Sequence, residues 1–352
     1  MKQKIAWNKS TKANHRKVWL SQRNELSGEG TVDLVRFGSS DISTIMGYNK
    51  WSSRKKLYWN LLGRYKTDFK SFKLEMGLRY EEVNRESFEC FSSDREGFDE
   101  RFCDGEKLRK LQSPKYFLLN EEYPHSFSSL DFVMPKGSLC PFTAEITTAN
   151  RPVETKFVNY NSYATWKGKM PMYYYTQIMH QIMMLSSDAG YLSVIAGGDF
   201  YDCLYTEKDR EFIQRMNEEI IDFQVIALKA KQIKSLLDKE VSTPNYDLGF
   251  VEALESMLVE LEPEPNQYDL DFVSNELFPN TNSLEIMGDE EAQKYIDSYK
   301  DANERENTAK SDKALARTLI TSYMKDFEIM KTDSSKVTNR RTFEGRSYFS
   351  VK

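Results

Sequence analysis

The chain has 352 residues and a formal net charge of −5 at pH 7. Hydrophobic residues make up 39% of it and aromatic residues 13%, a composition that supports a packed core and excludes a disordered chain. No apolar run approaches the roughly 18 residues of a membrane span, and the polar start lacks a signal peptide's apolar segment. We therefore expect a cytoplasmic protein with no membrane partner.

The cysteines narrow the chemistry further. Cys90, Cys103, Cys140 and Cys203 are widely spaced and form no CxxC pair. This spacing indicates neither a zinc site nor a disulfide framework, and it weighs against an iron–sulfur cluster. We expect buried free thiols.

Charge is distributed unevenly along the chain. Residues 1–80 carry 17 Lys or Arg against 6 Asp or Glu, a local balance of +11. Residues 240–291 carry 14 Asp or Glu and no Lys or Arg. The basic third is where phosphates are expected, with a merely solubilising surface as the alternative. The acidic segment has three open interpretations, which are DNA mimicry, partner docking and solubility of an assembly.

The N-terminal region is predicted to hold a mobile basic arm at 1–17, then helices at 18–25, 41–46 and 51–63. The third helix has cations at 54–56 in its first turn, where they oppose the helix dipole. A negatively charged partner such as DNA would compensate them, and an incidental surface feature is the alternative.

A longer helix is predicted at 72–91. Glu81 and Glu82 lie about 100° apart on it, so only one of them can face a cleft. Gly77, one turn earlier, is expected to let the helix approach a sheet closely. The apolar positions give these core candidates: Leu74, Leu78, Val83 and Phe88.

The middle of the chain alternates strand and helix patterns. Alternating apolar residues predict strands, and a 3.6-residue period predicts a helix at 172–185. The predicted strands are 116–119, 130–133, 153–157, 191–196 and 200–205. The fold class is therefore α/β (α+β), with a central mixed sheet flanked by helices.

The C-terminal region is predicted to be helical at 209–238 and 292–330 and to end in a hairpin at 336–352. Its acidic segment separates the two helices. These elements divide the chain into an arm at 1–17, a core at 18–238, and an acidic insertion with a helical C-terminal extension at 239–352.

Three charged side chains leave the predicted sheet near one end. Glu154 and Lys156 project from the same face of a strand, with Thr155 on the other, and Asp131 lies in the predicted strand at 130–133. Carboxylates are suitable ligands for Mg²⁺, which activates water and offsets charge in phosphodiester hydrolysis. Ordinary solvated strand residues are the alternative. Glu145 is a second candidate for the glutamate, although no lysine follows it at this spacing.

Six blocks in one order over about residues 17–200 resemble the phage-type alkaline exonucleases. These are the lambda-exonuclease and YqaJ-like viral recombinases, a branch of the PD-(D/E)XK nucleases. The blocks are WLSQR (19–23), GSSDI with IMG (38–47), LY and Gly63 (57–63), MGLRYE (76–81), Asp131 with ETK (154–156), and Trp166, Pro171 and YYTQ leading into HQ (166–181).

The resemblance implies a PD-(D/E)XK restriction-endonuclease-like core. It further implies an exonuclease that requires Mg²⁺, with Mn²⁺ as a substitute, and degrades one strand of linear double-stranded DNA from 5′ to 3′ in phage recombination. A ring-forming homo-oligomer and a single-strand annealing protein are the implied partners. A structure-specific or restriction endonuclease and a non-catalytic recombination scaffold stay open as alternatives.

The resemblance also implies roles for individual residues. Asp131 and Glu154 would bind the metal together with the Thr155 carbonyl, and Glu81 would assist them. Lys156 would position the attacking water.

Two further groups of residues inherit roles from the resemblance. Gln177 would support the lysine and the water, whereas His180 is expected to be structural. Arg23 and Ser40 would hold a terminal 5′ phosphate. Because the connection between them is longer than is usual in the family, Arg36 is the substitute for Arg23.

Overall fold

The computed structural model describes residues 2–6, 15–29, 31–63, 72–93, 107–198, 200–277, 287–324, 327–341 and 347–351. Backbone contacts divide the chain into two compact units, Met1–Pro279 and Asn280–Lys352. Within the described ranges, no helix is both long enough and apolar enough to cross a bilayer.

The first unit alternates helices and strands in much the predicted order. Its strands are β1 (Lys2–Ala6), β2 (Phe37–Gly38), β3 (Tyr116–Asn120), β4 (Ser126–Phe127), β5 (Phe132–Met134), β6 (Arg151–Val158), β7 (Ala189–Ala196) and β8 (Phe200–Glu207). Its helices are α1 (His15–Ser27), α2 (Ser39–Ile45), α3 (Arg54–Leu61), α4 (Phe72–Cys90), α5 (Tyr160–Ala164), α6 (Met172–Leu185), α7 (Arg210–Val241) and α8 (Leu248–Glu260). A helical turn at Leu270–Phe272 continues as a π-helical turn at Val273–Leu277.

The largest sheet of the first unit is a four-stranded mixed sheet in the order β5-β6-β7-β8. β6 and β7 are parallel, with Glu154 opposite Leu192, and α5 and α6 lie in the crossover between them. β5 and β8 pair antiparallel at the two edges. β7 is buried along its whole length, as expected of a central strand covered on both faces. The predicted central mixed sheet flanked by helices is confirmed.

Helices α4 and α6 cover opposite faces of this sheet. On one face, the Tyr80 ring of α4 stacks on Phe157 of β6, with ring centres 4.1 Å apart. On the other face, α6 packs so closely that a Cβ added to Gly190 of β7 would lie 2.8 Å from Ile178. The missing side chain at Gly190 therefore lets α6 approach the strand that neighbours the predicted site.

Of the core residues predicted on α4, Phe88 is buried, whereas the prediction was wrong for Leu78 and Val83 and the side chain of Leu74 lies outside the described residues. Leu78 and Val83 are 49% and 48% exposed, and the surroundings of Gly77 are open rather than tight. The face on the sheet instead contains Tyr80 and the buried Asn84, because the Asn84 side chain finds hydrogen-bond partners there. A polar residue in the middle of a buried face disrupts the apolar period on which the prediction relied.

The predicted basic arm contains a strand. β1 pairs antiparallel with β3, from Lys2 opposite Asn120 to Ala6 opposite Tyr116. Residues 7–14 of the arm lie outside the described residues, as does Cys103. The other three cysteines are free and buried, as expected.

Residues 248–277, which belong to the acidic segment, pack against α3. Lys55 forms an ion pair with Glu262 at 2.7 Å, and both side chains are largely buried. Arg54 pairs with Glu219 of α7, and the Tyr58 hydroxyl donates to the carbonyl of Leu258 at 2.7 Å. Carboxylates of the chain itself therefore compensate two of the three first-turn cations, for which DNA was the predicted compensating partner.

The core thus extends past its predicted end at 238. α7 continues to Val241, and α8 packs on it through its apolar face. The buried residues of α8 are Val251, Leu254 and Leu258. The first compact unit runs to Pro279, and the predicted division into an arm, a core and an extension stays a prediction.

The second unit consists of one long helix and a small sheet. α9 (Glu290–Met324) is followed by an antiparallel sheet of β9 (Ile329–Lys331), β10 (Lys336–Arg341) and β11 (Ser347–Val351), with β10 in the centre. The predicted helix ends earlier than Met330 because the chain enters β9. The predicted hairpin is present with a third strand added.

Truncation of a buried residue of α8 tests whether the acidic segment is part of the folded core. Leu258 is 1% exposed and Val259, its neighbour, is 61% exposed. We expect Leu258→Ala to cost about 2–4 kcal/mol of unfolding free energy and Val259→Ala less than about 0.5 kcal/mol. Urea denaturation measures both. Equal small losses would contradict docking of α8.

Candidate active site

Asp131 and Thr155 lie side by side at the start of β5, where β6 extends beyond its pairing with β5. The register pairs Phe132 with Val153, so Thr155 lies beyond the paired part of β5. Its backbone N–H and its hydroxyl both donate to Oδ2 of Asp131, at 2.9 Å and 3.0 Å. Because the N–H and C=O of one strand residue face the same side, the Thr155 carbonyl is directed toward the Asp131 side as well.

Glu154 is a buried carboxylate with three side-chain partners. It is 3% exposed. Gln177 of α6 donates to Oε1 at 2.6 Å, and Gln181, one turn later, donates to Oε2 at 2.5 Å. Lys156 also donates to Oε1. The predicted triad of Asp131, Glu154 and Lys156 is therefore assembled around one segment of β6.

Lys156 is held from two sides. Its ammonium pairs with Glu154 and lies 5.4 Å from the centre of the Tyr174 ring. Asn84 of α4 donates to the Lys156 carbonyl at 3.0 Å, and Ser193 of β7 donates to Asn84 at 2.7 Å. Burial alone would lower the pKa of Lys156, but the charges of Glu154 and Asp131 raise it above its usual value. The lysine is therefore a cation at neutral pH.

Asp131 is destabilised as an anion. Burial, followed by the charge of Glu154, raises its pKa from 3.8 to about 6, against the opposing charge of Lys156 and the two bonds from Thr155. Asp131 and Glu154 together carry more negative charge at neutral pH than Lys156 can balance. An added cation would relieve this repulsion.

The donors present fit a hard divalent cation. Asp131, Glu154 and the Thr155 carbonyl offer oxygen ligands, and Mg²⁺ takes only one or two carboxylates while keeping several waters. Among the described residues, no group of three or more His, Cys, Asp or Glu side chains is arranged to hold a metal ion. The set therefore provides two carboxylates and not three.

Two other predicted glutamates lie outside this pair. Glu81 is half-buried on α4 and does not complete a cluster of three carboxylates with Asp131 and Glu154. Glu145 is exposed in a turn that follows Ala144, whose φ of 53° is left-handed. The alternative of Glu145 in place of Glu154 is thus not supported, and the role of Glu81 stays a prediction.

The residues predicted to hold a 5′ phosphate are brought together. Arg23 of α1 donates to the Ser40 hydroxyl at 3.1 Å and to both oxygens of Asp41 at 3.3 Å. Asp41 also accepts from the backbone N–H of Gly38 at 3.0 Å, which fixes the start of α2. Arg36, the predicted substitute, donates instead to the carbonyl of Pro124 at 3.0 Å.

A buried polar network links the start of α2 to α6 and to the segment before Asp131. The Ser39 hydroxyl lies 2.9 Å from Ser128 Oγ and 2.9 Å from His180 Nδ1. Burial lowers the pKa of His180 to about 3, so the ring is neutral. His180 connects the helix that carries Gln177 to Ser39, next to the Arg23 and Ser40 pair, and its expected structural role stays a prediction.

Sequence reasoning missed two residues of the site. Gln181 lies in the HQ block of the resemblance but received no role, although its spacing of four from Gln177 places both amides on one face. Asn84 lies within a charged helix and carries no sequence signal for its contact with Lys156. A second glutamine one turn after the first was the available clue for Gln181.

Residues 18–191 match the family model of the YqaJ-like viral recombinase domain. A search of curated proteins gives no match. Among solved structures, the chain is similar to an alkaline exonuclease from Laribacter hongkongensis, with 15% identity, a TM-score of 0.41, and coverage of 59% of this chain and 93% of that one. A structure of that protein in complex with dAMP gives 13% identity and a TM-score of 0.42, with the same coverage. We base the functional assignment on the family match and on the geometry of the site.

The raised pKa of Asp131 predicts how replacing its carboxyl group with an amide changes the stability of the protein when EDTA keeps metal ions away. Between pH 3.8 and about 6 the folded state binds more protons than the unfolded state, so the stability contributed by this group falls as pH rises. We expect Asp131→Asn to raise the melting temperature at pH 8, by about 2–4 °C for each kcal/mol of repulsion removed, and to have little effect near pH 4.

Asp188 is the matched control with the opposite sign. Hydrogen bonds from Arg151, at 2.8 Å and 2.9 Å, hold the pKa of Asp188 below its usual value. Asp188→Asn should therefore lower the melting temperature at pH 8. Calorimetry of both variants checks the pair, and destabilisation by Asp131→Asn at pH 8 would contradict the proposed repulsion.

Proposed function

Since this chain carries a YqaJ-like viral recombinase domain over residues 18–191, we propose that it is a Mg²⁺-dependent 5′-to-3′ exonuclease. It degrades one strand of linear double-stranded DNA for phage-type recombination inside a bacterial host cell. A single-strand annealing protein and a ring of identical subunits are the partners that this role would engage.

One observation supports the nuclease proposal above the others. The buried Glu154 carboxylate is held between the Lys156 ammonium and two glutamine amides, with Asp131 on the adjoining strand. Burying a charge is costly unless it is paired and hydrogen-bonded, so a structural role alone would be served more cheaply by an apolar residue. A charged set retained at this cost is typical of a functional site.

Each side chain has a distinct task in this proposal. Asp131 and Glu154 would hold a divalent cation, which would supply an activated water and stabilise charge on the phosphate. The Lys156 ammonium orients that water or the scissile phosphate from the Glu154 side. Gln177 and Gln181 fix the Glu154 carboxylate, and Asn84 fixes the backbone from which Lys156 projects.

The 5′ polarity is attributed to Arg23 and Ser40. A guanidinium presents paired donors that suit a phosphate, and the adjacent hydroxyl adds a further donor. Asp41 shares the Arg23 guanidinium, which keeps the side chain in place before DNA binds.

Two alternative functions predict different substrates. A structure-specific or restriction endonuclease of the same superfamily would nick covalently closed circles, which an end-dependent exonuclease leaves intact. A non-catalytic scaffold would keep its DNA-related function in EDTA. The complete Asp, Glu and Lys set favours catalysis over the scaffold.

Substitution of the lysine tests catalysis separately from binding. We expect Lys156→Ala to reduce digestion of end-labelled linear duplex by at least about 100-fold, because an ammonium beside the reacting phosphate is lost. Binding of the same duplex in Ca²⁺ should change little. Lys229→Ala, which removes an exposed lysine of α7, is the control and should digest DNA normally. Persistent digestion by Lys156→Ala would reject the assignment, and digestion by wild-type protein in EDTA would reject the metal.

End chemistry tests the phosphate site. Wild-type protein should digest a 5′-phosphorylated duplex faster than a 5′-hydroxyl duplex, by about 10-fold or more if charge-assisted hydrogen bonds to the phosphate contribute 1.5–3 kcal/mol. Arg23→Ala should remove this preference, whereas Arg36→Ala should keep it. The reverse result would assign the phosphate to Arg36, and equal rates on both ends with wild-type protein would discard the site.

A further inference from the structure

A row of aromatic rings runs from the catalytic lysine to the protein surface. The Lys156 ammonium lies 5.4 Å from the centre of the Tyr174 ring. The Tyr174 ring is 4.4 Å from that of Tyr173, and Tyr173 is 5.0 Å from Trp51 in an edge-to-face arrangement. These separations, laid end to end, span at most about four stacked nucleotides of one strand.

Trp51 is the exposed end of this row. The residue is 60% exposed, which is unusual for the largest aromatic side chain. The Lys50 ammonium lies 4.7 Å from the Trp51 ring centre and 5.6 Å from that of Tyr173. A cation therefore accompanies two rings at the surface, one of them connected to the active site.

The backbone before Trp51 is tied to α2. The Trp51 N–H donates to the side-chain oxygen of Asn49 at 2.9 Å, and the Asn49 amide donates to the Thr44 hydroxyl at 3.0 Å. The backbone N–H of Asn49 also donates to the Ser43 carbonyl at 3.0 Å. The exposed ring is thus presented by an anchored segment, so little order has to be gained when a ligand binds.

We propose that Trp51 and Tyr173, with Lys50, form a stacking platform for an unpaired nucleobase of the DNA strand that enters the Asp131 and Glu154 site. This inference rests on the proposed nuclease function. The platform holds the strand a few nucleotides from the reacting phosphodiester bond, where the duplex end has to open.

The chemistry of the row favours single-stranded nucleic acid. Proteins that bind single strands combine aromatic side chains, on which bases stack, with cations that contact the backbone. Here Lys50 supplies a cation at the platform, and Lys167 and Lys169 are exposed in the turn after Trp166, whose ring packs 5.5 Å from Tyr174. A protein partner would also use Trp and Tyr, but the continuity of the rings with Lys156 favours the substrate.

The test compares DNA ends that differ only in their bases. Wild-type protein, Trp51→Ala and Trp51→Phe are titrated in Ca²⁺ with a fluorescent linear duplex whose last few base pairs are mismatched. The second DNA has abasic sites in the same unpaired strand. Phe250→Ala, which removes a 45% exposed aromatic residue of α8, is the matched control.

We expect Trp51→Ala to bind the frayed duplex about 5- to 100-fold more weakly than wild type, the range given by stacking of one base. Trp51→Phe should retain most of the affinity, and Phe250→Ala all of it. On the abasic DNA, wild type and Trp51→Ala should bind equally. Circular dichroism and melting temperatures verify that each variant is folded.

Three results would overturn the platform. Trp51→Ala binding the frayed duplex as wild type does would remove any role in DNA binding. An equal loss of affinity for the frayed duplex and for the abasic duplex would show that Trp51 does not contact a base. Unchanged DNA binding with lost capture of a single-strand annealing protein would assign the surface to a protein.

Digestion assays separate the two proposals. A base-dependent loss of DNA affinity in a protein without nuclease activity would reject the nuclease function and keep the platform.

Discussion

The buried carboxylate of Glu154 is the interaction on which the rest of the site depends. A negative charge that is 3% exposed is tolerated only because Lys156, Gln177 and Gln181 satisfy it. Two of these partners lie on α6, so the helix has to keep a fixed register against β6. Because Gly190 of β7 has no side chain, α6 can pack closely enough against the sheet to keep this register. The packing of α6 against the sheet therefore also fixes the hydrogen-bond partners of Glu154.

The alternation of β6 separates two tasks within three residues. Glu154 and Lys156 face α6, whereas the side chain of the buried Thr155 lies on the other face of the strand and donates to Asp131. The same arrangement buries Asp131 and brings it near the Glu154 carboxylate, and burial, followed by the charge of Glu154, raises the pKa of Asp131 to about 6. The fold accepts this electrostatic cost at the candidate active site, and a compromise between stability and activity is common at active sites.

The sequence alone predicted the sheet and the grouping of Asp131, Glu154 and Lys156, because strand alternation and the ETK spacing are local signals. Arg23 and Ser40 also lie together as their motifs predicted. The contact face of α4 and the role of Asn84 could not be predicted, because a buried amide is indistinguishable from a solvated one until its partners are known. The docking of residues 248–277 on α3 was missed for a related reason. Charge composition shows that acids and bases are present, but it does not show that Glu262 neutralises Lys55.

That neutralisation changes how DNA affinity should respond to ionic strength. Binding to a duplex releases condensed counterions, and each phosphate contacted by a cation contributes about 0.9 to the slope of log affinity against log salt. Arg54 and Lys55 are already paired with Glu219 and Glu262, so they have no free charge to exchange for these ions. Glu219 of α7 and Glu262 of the acidic segment thereby leave these two cations less available to a polyanion. Association should consequently be less sensitive to salt than the N-terminal surplus of basic residues suggests.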